Sequence, residues 1–200
     1  MGPPPYEQAG ANVAFWGLVG LFALGEYAMQ FRSLWNRIRR RSGRLMERWS
    51  LALVLLGVVG GLIGGLTIAT HRAGRISAGA GPLFVLGLIV MASGLLLRQW
   101  AVLVLGRSFT PEVRVRSGQE IVERGPYRWV RHPSYTGLLV FFAGLGLALS
   151  NWISLAVLVV TPLAGLLLRL RSEERALLAV MGEPYKRYAA SHKRLLPGVW

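Results

Sequence analysis

The sequence predicts an all-α integral membrane protein: five transmembrane helices and a cytoplasmic C-terminal helical extension, with no Rossmann domain. Three observations predict it. Hydrophobic residues make up 53% of the chain and charged residues only 16%, with a mean hydropathy of +0.44, which lies outside the usual soluble range. The apolar residues fall in runs of the roughly 20 residues that a bilayer requires. The arginines gather in alternate connections between those runs, the pattern of the positive-inside rule. In 200 residues such spans leave no room for a separate soluble domain. Residues 1–200 therefore read as one membrane domain, and any active site must be built from the spans and their edges.

The opening "MGPPPYEQAG" has no basic region or small-residue cleavage pattern, so it reads as a short solvated leader. The first span covers 11–31 and carries Glu26 about one turn from its end, where the carboxylate can pair with Arg98 or reach water. The second, 49–70, contains Gly57, Gly61 and Gly65, with Gly60 and Gly64 in a second register; both stripes suit close helix packing. The third, 82–106, holds Arg98 and Gln99, and Arg98 is placed to snorkel to lipid phosphates. The run from Tyr135 to Leu170 is too long for one span. It suits a hairpin turning at Ser150–Trp152, with spans over 134–150 and 152–170. The segment 171–200 continues as a helix on the spacing of Leu170, Glu173, Leu177 and Met181 up to a break at Gly182–Pro184. Tyr185 and Tyr188 beyond it have the usual reading of interfacial anchors.

The connection after the first span, the one after the third and the C-terminal tail carry nearly all the arginines, whereas the connection after the second has only Arg72 and Arg75. Five spans then place the N-terminus outside and the C-terminus, with both basic elements flanking the hairpin, in the cytoplasm. The net charge of +14 reads as attraction to anionic membrane lipids, not nucleic acid. No cysteine is present, which excludes disulfides, thiolate metal sites and a cysteine nucleophile. His71, His132 and His192 have no metal-ligand spacing, so no metal is expected. The bias to arginine, with only two lysines, points to a GC-rich prokaryotic genome and so to the cell (inner) membrane of a prokaryote.

The chemistry-bearing stretch is "GPYRWVRHPSYTGLL", Gly125 to Leu139, which sets arginines, a histidine and aromatics directly against an apolar run. After the hairpin come Arg169, Glu173 and Glu174, then Gly182, Tyr185 and Tyr188, and a closing Leu196-Pro197. In this order and spacing, Gly-x-Tyr-x-x-x-Arg-His-Pro-x-Tyr-x-Gly followed by Arg-x-x-x-Glu-Glu resembles the isoprenylcysteine carboxyl methyltransferase family and its relatives the phospholipid N-methyltransferases. The resemblance covers roughly Arg98 to the C-terminus; the first two spans match only in being hydrophobic. It implies S-adenosylmethionine as cofactor, with S-adenosylhomocysteine as product, held at the cytoplasmic membrane edge. It implies cofactor contacts from Gln119, Ile121, Val122, Gly125, Tyr127, His132, Pro133, Tyr135, Glu173 and Glu174. It further implies that Glu173 faces the cofactor's amino group and Arg169 the acceptor's negative charge. Many eukaryotic members have histidine where Gln119 aligns, although glutamine can still donate and accept hydrogen bonds.

The expected activity is carboxyl methylation of a lipophilic acceptor, an isoprenoid-type small molecule or a prenylated partner entering from the bilayer. A carboxylate with a pKa near 3.5 is already ionised and needs no base, so alignment and desolvation do most of the work. The close alternative, N-methylation of a phospholipid or other amine, needs a base, for which His132 or Glu173 is available. The NADPH-dependent sterol-reductase group shares the Arg-His-Pro-x-Tyr-x-Gly stretch, but there an acidic residue typically follows the glycine and the later pair reads Asp-Glu. Here Leu138 follows Gly137, and the pair is Glu173-Glu174. A non-catalytic scaffold binding anionic lipid leaves this spacing unexplained.

Overall fold

The computed structural model describes residues 9–39, 49–76, 79–106 and 121–197. Their regular structure is helical: α1 (Ala9–Arg39), α2 (Trp49–Thr70), α3 (Ala80–Leu105), a 3-10 turn (Gly125–Arg128), α4 (Pro133–Ala148), α5 (Trp152–Met181) and α6 (Glu183–Ser191). Among the described residues, α1, α2, α3 and α5 are long and apolar enough to cross a membrane. Their outer faces expose Leu24, Leu56, Ile63, Leu96 and Leu103, a surface suited to lipid and not to water. The chain is an integral membrane protein.

The helices expected over the last apolar run are present and unequal in length. Helix α4 has 16 residues, about 24 Å of rise against a hydrocarbon core of about 30 Å. Helix α5 has 30 and runs without interruption to Met181, so the last span and the helical extension expected up to Gly182 are one helix. The asymmetry has local causes. Pro133 occupies the first turn of α4, where its missing N–H costs nothing, and a polar turn closes the helix at Ser150–Asn151. Most of α4 is buried against other helices, so its short length is shielded by protein. At the far end, Gly182 stops α5 with a left-handed φ of 60°.

The turn between α4 and α5 falls where the polar residues predicted it. Asn151 caps α5 by accepting hydrogen bonds from the backbone N–H of Ile153 (3.0 Å) and Ser154 (3.1 Å). Its amide donates to the Ala73 carbonyl at 2.8 Å, and Ile76 N–H donates to Ser150 O at 2.8 Å. The hairpin is thereby clamped to the loop after α2. Asn151→Ala is expected to lower stability by about 2 kcal/mol, since a cap and a buried bond are both lost. A thermal unfolding midpoint equal to wild type would show that the clamp carries no weight.

Small residues decide how closely the helices approach. The stripe Gly57, Gly61 and Gly65 of α2 faces α5: added Cβ atoms there would strike Thr161, Pro162 and Leu158, whereas Gly60 has open space around it. Ser154 Oγ donates to Gly65 O across this interface at 2.9 Å, a bond that a larger residue on α2 would prevent. A second glycine contact joins α3 and α4, which run antiparallel. A Cβ on Gly137 would lie 2.7 Å from both Arg98 N and Gly94 O, and one on Gly144 would lie 2.7 Å from Gly87 O. Helix α1 leans on this pair through Phe22, which stacks on Phe141 with ring centroids 4.2 Å apart, and through the fully buried Phe15.

Candidate active site

Backbone pairing brings the motif residues together. Val130 forms a parallel bridge with Lys193, Arg131 N–H donates to Lys193 O at 2.8 Å, and His132 N–H donates to Arg194 O at 3.0 Å. Thr136 Oγ1 adds a bond to Leu195 O at 2.8 Å. The C-terminal segment is thus fastened along the stretch that leads into α4. The turn into that stretch needs Gly125, whose φ is 61° and whose place a side chain could occupy only with strain.

Two acidic residues adjacent on α5 take different surroundings. Glu174 is a hub: its Oε1 lies 2.9 Å from Arg131 Nη1 and 3.3 Å from His132 Nε2, and its Oε2 lies 3.0 Å from Arg194 Nε. Glu173 instead accepts from the Tyr135 hydroxyl at 2.5 Å, and Arg169, one turn earlier, donates from Nε to the same hydroxyl at 3.5 Å. The rings of His132 and Tyr135 lie parallel, 5.4 Å between centroids. His132 is buried, its backbone N–H bound to Arg194 O and its ring facing Glu174.

The pair Arg98 and Glu26 corrects another expectation. Arg98 does not snorkel: it is buried, and its Nε and Nη2 both bind the Glu26 carboxylate, Nη2 at 2.8 Å. Its remaining Nη1 donates to Ser134 O (3.0 Å) and Ser134 Oγ (2.8 Å). The fork ties α1 to α3 and to the first turn of α4, satisfying a charge that hydrocarbon would otherwise penalise. Glu26→Ala is expected to cost about 3 kcal/mol, because it leaves an uncompensated buried guanidinium. Glu26→Gln, which keeps an acceptor, should cost less; equal unfolding midpoints for all three proteins would overturn this.

Tyr185 and Tyr188 are buried and not interfacial anchors. Tyr188 donates to Tyr127 O at 2.8 Å, fixing α6 under the 3-10 turn. Burial, first, holds the Tyr127, Tyr185 and Tyr188 phenols above the ordinary tyrosine range, reinforced by Glu173, Glu174 and Glu123 respectively. Each remains a neutral hydroxyl.

These groups line one cavity of about 480 Å³. Its polar part holds Arg98, Tyr127, Arg131, His132, Tyr135, Arg169 and Glu173; its apolar part is walled by Val19 and Phe22 of α1, Val54 and Val58 of α2, and Leu138 and Phe141 of α4.

Residues 85–179 match the isoprenylcysteine carboxyl methyltransferase family. Over this segment the chain is similar to that family. It is 34% identical over 105 residues to protein-S-isoprenylcysteine O-methyltransferase B of Arabidopsis thaliana, a match covering 52% of this chain and 53% of that protein. The A form from the same plant is 34% identical over 107 residues, covering 52% and 54%. The chain thus spans about half the length of these relatives. The solved structure of the eukaryotic intramembrane Ras methyltransferase of the same family superimposes with a TM-score of 0.67 at 22% identity, covering 100% of this chain and 69% of that one; the two share a fold.

Of the expected site residues, Ile121, Val122, Tyr127, His132, Tyr135, Arg169 and Glu173 line the cavity together. Gly125, Pro133 and Glu174 are not among its lining residues: the first two shape the backbone and Glu174 holds its neighbours in place. Gln119 lies outside the described residues. Sequence reasoning missed the α1 and α2 wall and the roles of Arg131, Arg194 and Tyr185, and left Glu26 a choice between Arg98 and water. An ionisable pair within predicted spans was the available signal for Glu26 and Arg98; nothing in the sequence indicated which apolar faces would meet.

Proposed function

We propose that the protein is an S-adenosylmethionine-dependent carboxyl O-methyltransferase acting on a lipophilic, isoprenoid-type or prenylated acceptor. One observation carries this reading: a single cavity joins a charged cluster, Arg169, Glu173, His132 and Tyr135, to an apolar wall formed by α1, α2 and α4. The donor set fits the cofactor. Glu173 offers a carboxylate to its ammonium, and the parallel rings of His132 and Tyr135 offer faces of the kind that attract a sulfonium. When bound, S-adenosylmethionine supplies an electrophilic methyl group. The protein's own work is alignment: Arg169 receives the acceptor carboxylate, Tyr135 orients Arg169 and Glu173 through its hydroxyl, and the apolar wall excludes water. No base is needed for an ionised carboxylate.

Residues of the C-terminal half of α1 and α5, the end of α3 and the starts of α2 and α4 meet at the cavity, the ends that adjoin the arginine-rich connections. This supports a cytoplasmic site with the N-terminus outside, and the bias to arginine over lysine favours the cell membrane of a prokaryote. Titration calorimetry of purified protein with S-adenosylhomocysteine tests the reading directly, and no heat up to millimolar ligand would sink it. Labelled methyl product should be released by mild alkali, as an ester is; alkali-stable label would indicate an amine acceptor instead.

A further inference from the structure

Two polar atoms at the cavity are left over from the network described above. Arg131 Nε and the Tyr185 hydroxyl are both buried and neither has a hydrogen-bond partner among the described residues. Their neighbours are engaged: Glu174 by Arg131 Nη1, His132 and Arg194, and Tyr188 by Tyr127 O. Buried polar groups are rarely left unpaired, so two in one cavity point to a missing partner. Both residues line that cavity; burial and Glu174 raise the pKa of the Tyr185 phenol, with Arg131 opposing them.

The chemistry of the partner follows from the donors. A guanidinium N–H carries positive charge and no acceptor, and a neutral phenol can donate alongside it. Glu174 is shared by two arginines, so its charge does not occupy Arg131 Nε. A carboxylate satisfies both donors and the charge at once. We propose that Arg131 Nε and the Tyr185 hydroxyl form a carboxylate subsite, closed by α6, that receives the amino-acid carboxylate of the cofactor. The subsite is distinct from Arg169, assigned above to the acceptor, and the inference rests on the methyltransferase reading.

Tyr185→Phe isolates the hydroxyl while keeping the ring in place. The full chain in detergent is titrated with S-adenosylhomocysteine and with its analogue lacking the α-carboxyl group. Tyr185→Phe should weaken S-adenosylhomocysteine about tenfold, the scale of one hydrogen bond to a charged group, and leave the decarboxylated analogue unchanged. Without ligand its unfolding midpoint should equal or exceed wild type, since the hydroxyl removed makes no bond. Unchanged affinity for S-adenosylhomocysteine, or equal loss for both ligands, overturns the subsite alone. If the variant instead raises KM for a prenylcysteine acceptor without touching cofactor affinity, the carboxylate is the acceptor's and the assignment to the cofactor falls. Wild-type protein binding neither ligand overturns the methyltransferase reading together with the subsite.

Discussion

Glu173→Gln is expected to weaken S-adenosylhomocysteine binding by about 1.5–3 kcal/mol, or roughly 10- to 150-fold, the worth of a hydrogen bond to a charged group. The substitution keeps size and one acceptor but removes the charge that would meet the cofactor's ammonium. It also alters the arrangement around Tyr135, whose hydroxyl donates to Glu173 at 2.5 Å and lies 3.5 Å from Arg169 Nε. The variant should fold, because Glu173 is only partly buried and glutamine is nearly isosteric. Wild-type affinity by calorimetry would remove Glu173 from the cofactor site. His132→Ala is a less selective probe than a water-exposed histidine would be. His132 is buried between Glu174 and the Arg194 backbone, so its removal opens a void in the fold as well as in the site.

Gly137→Ala is expected to lower stability by about 3 kcal/mol, near the upper end of ordinary overpacking penalties. The new methyl would meet backbone, Arg98 N and Gly94 O both at 2.7 Å, and backbone cannot rotate away as a side chain can. Relief requires α3 and α4 to separate, which would stretch the bonds from Arg98 Nη1 to Ser134 one turn earlier on α4. Loss of cofactor affinity should therefore accompany loss of stability. Gly60→Ala, where nothing lies within 4 Å, is the control and should unfold like wild type. Equal midpoints for the two variants would show that α3 and α4 do not depend on this contact.

Much of the helical layout was legible because it depends on local chemistry. Asn151 ended a helix and capped the next, Pro133 began α4, and Gly182 ended α5, each by backbone constraints that a residue carries with it. The spacing of Gly57, Gly61 and Gly65 showed a packing face, but which of two stripes packed was decided by where α5 lies. The last apolar run divides into helices of unequal length for a related reason. Hydropathy measures suitability for an apolar environment, and protein neighbours supply one to the short α4 as well as lipid does.

At the site, the sequence by itself determined a membrane protein with a polar cluster against the hairpin, and the spacing of Arg-His-Pro-x-Tyr with Arg-x-x-x-Glu-Glu pointed to the family. It determined too that Arg169 and Glu173 share a helix face, because residues four apart do. Only the tertiary structure decided that these two converge on Tyr135, that adjacent Glu174 binds Arg131, His132 and Arg194, and that Glu26 neutralises Arg98. The physical reason is distance along the chain. Helix periodicity fixes directions within one or two turns, whereas partners 72 residues apart, as Arg98 and Glu26 are, meet only after glycine contacts and helix lengths have set how the helices pack.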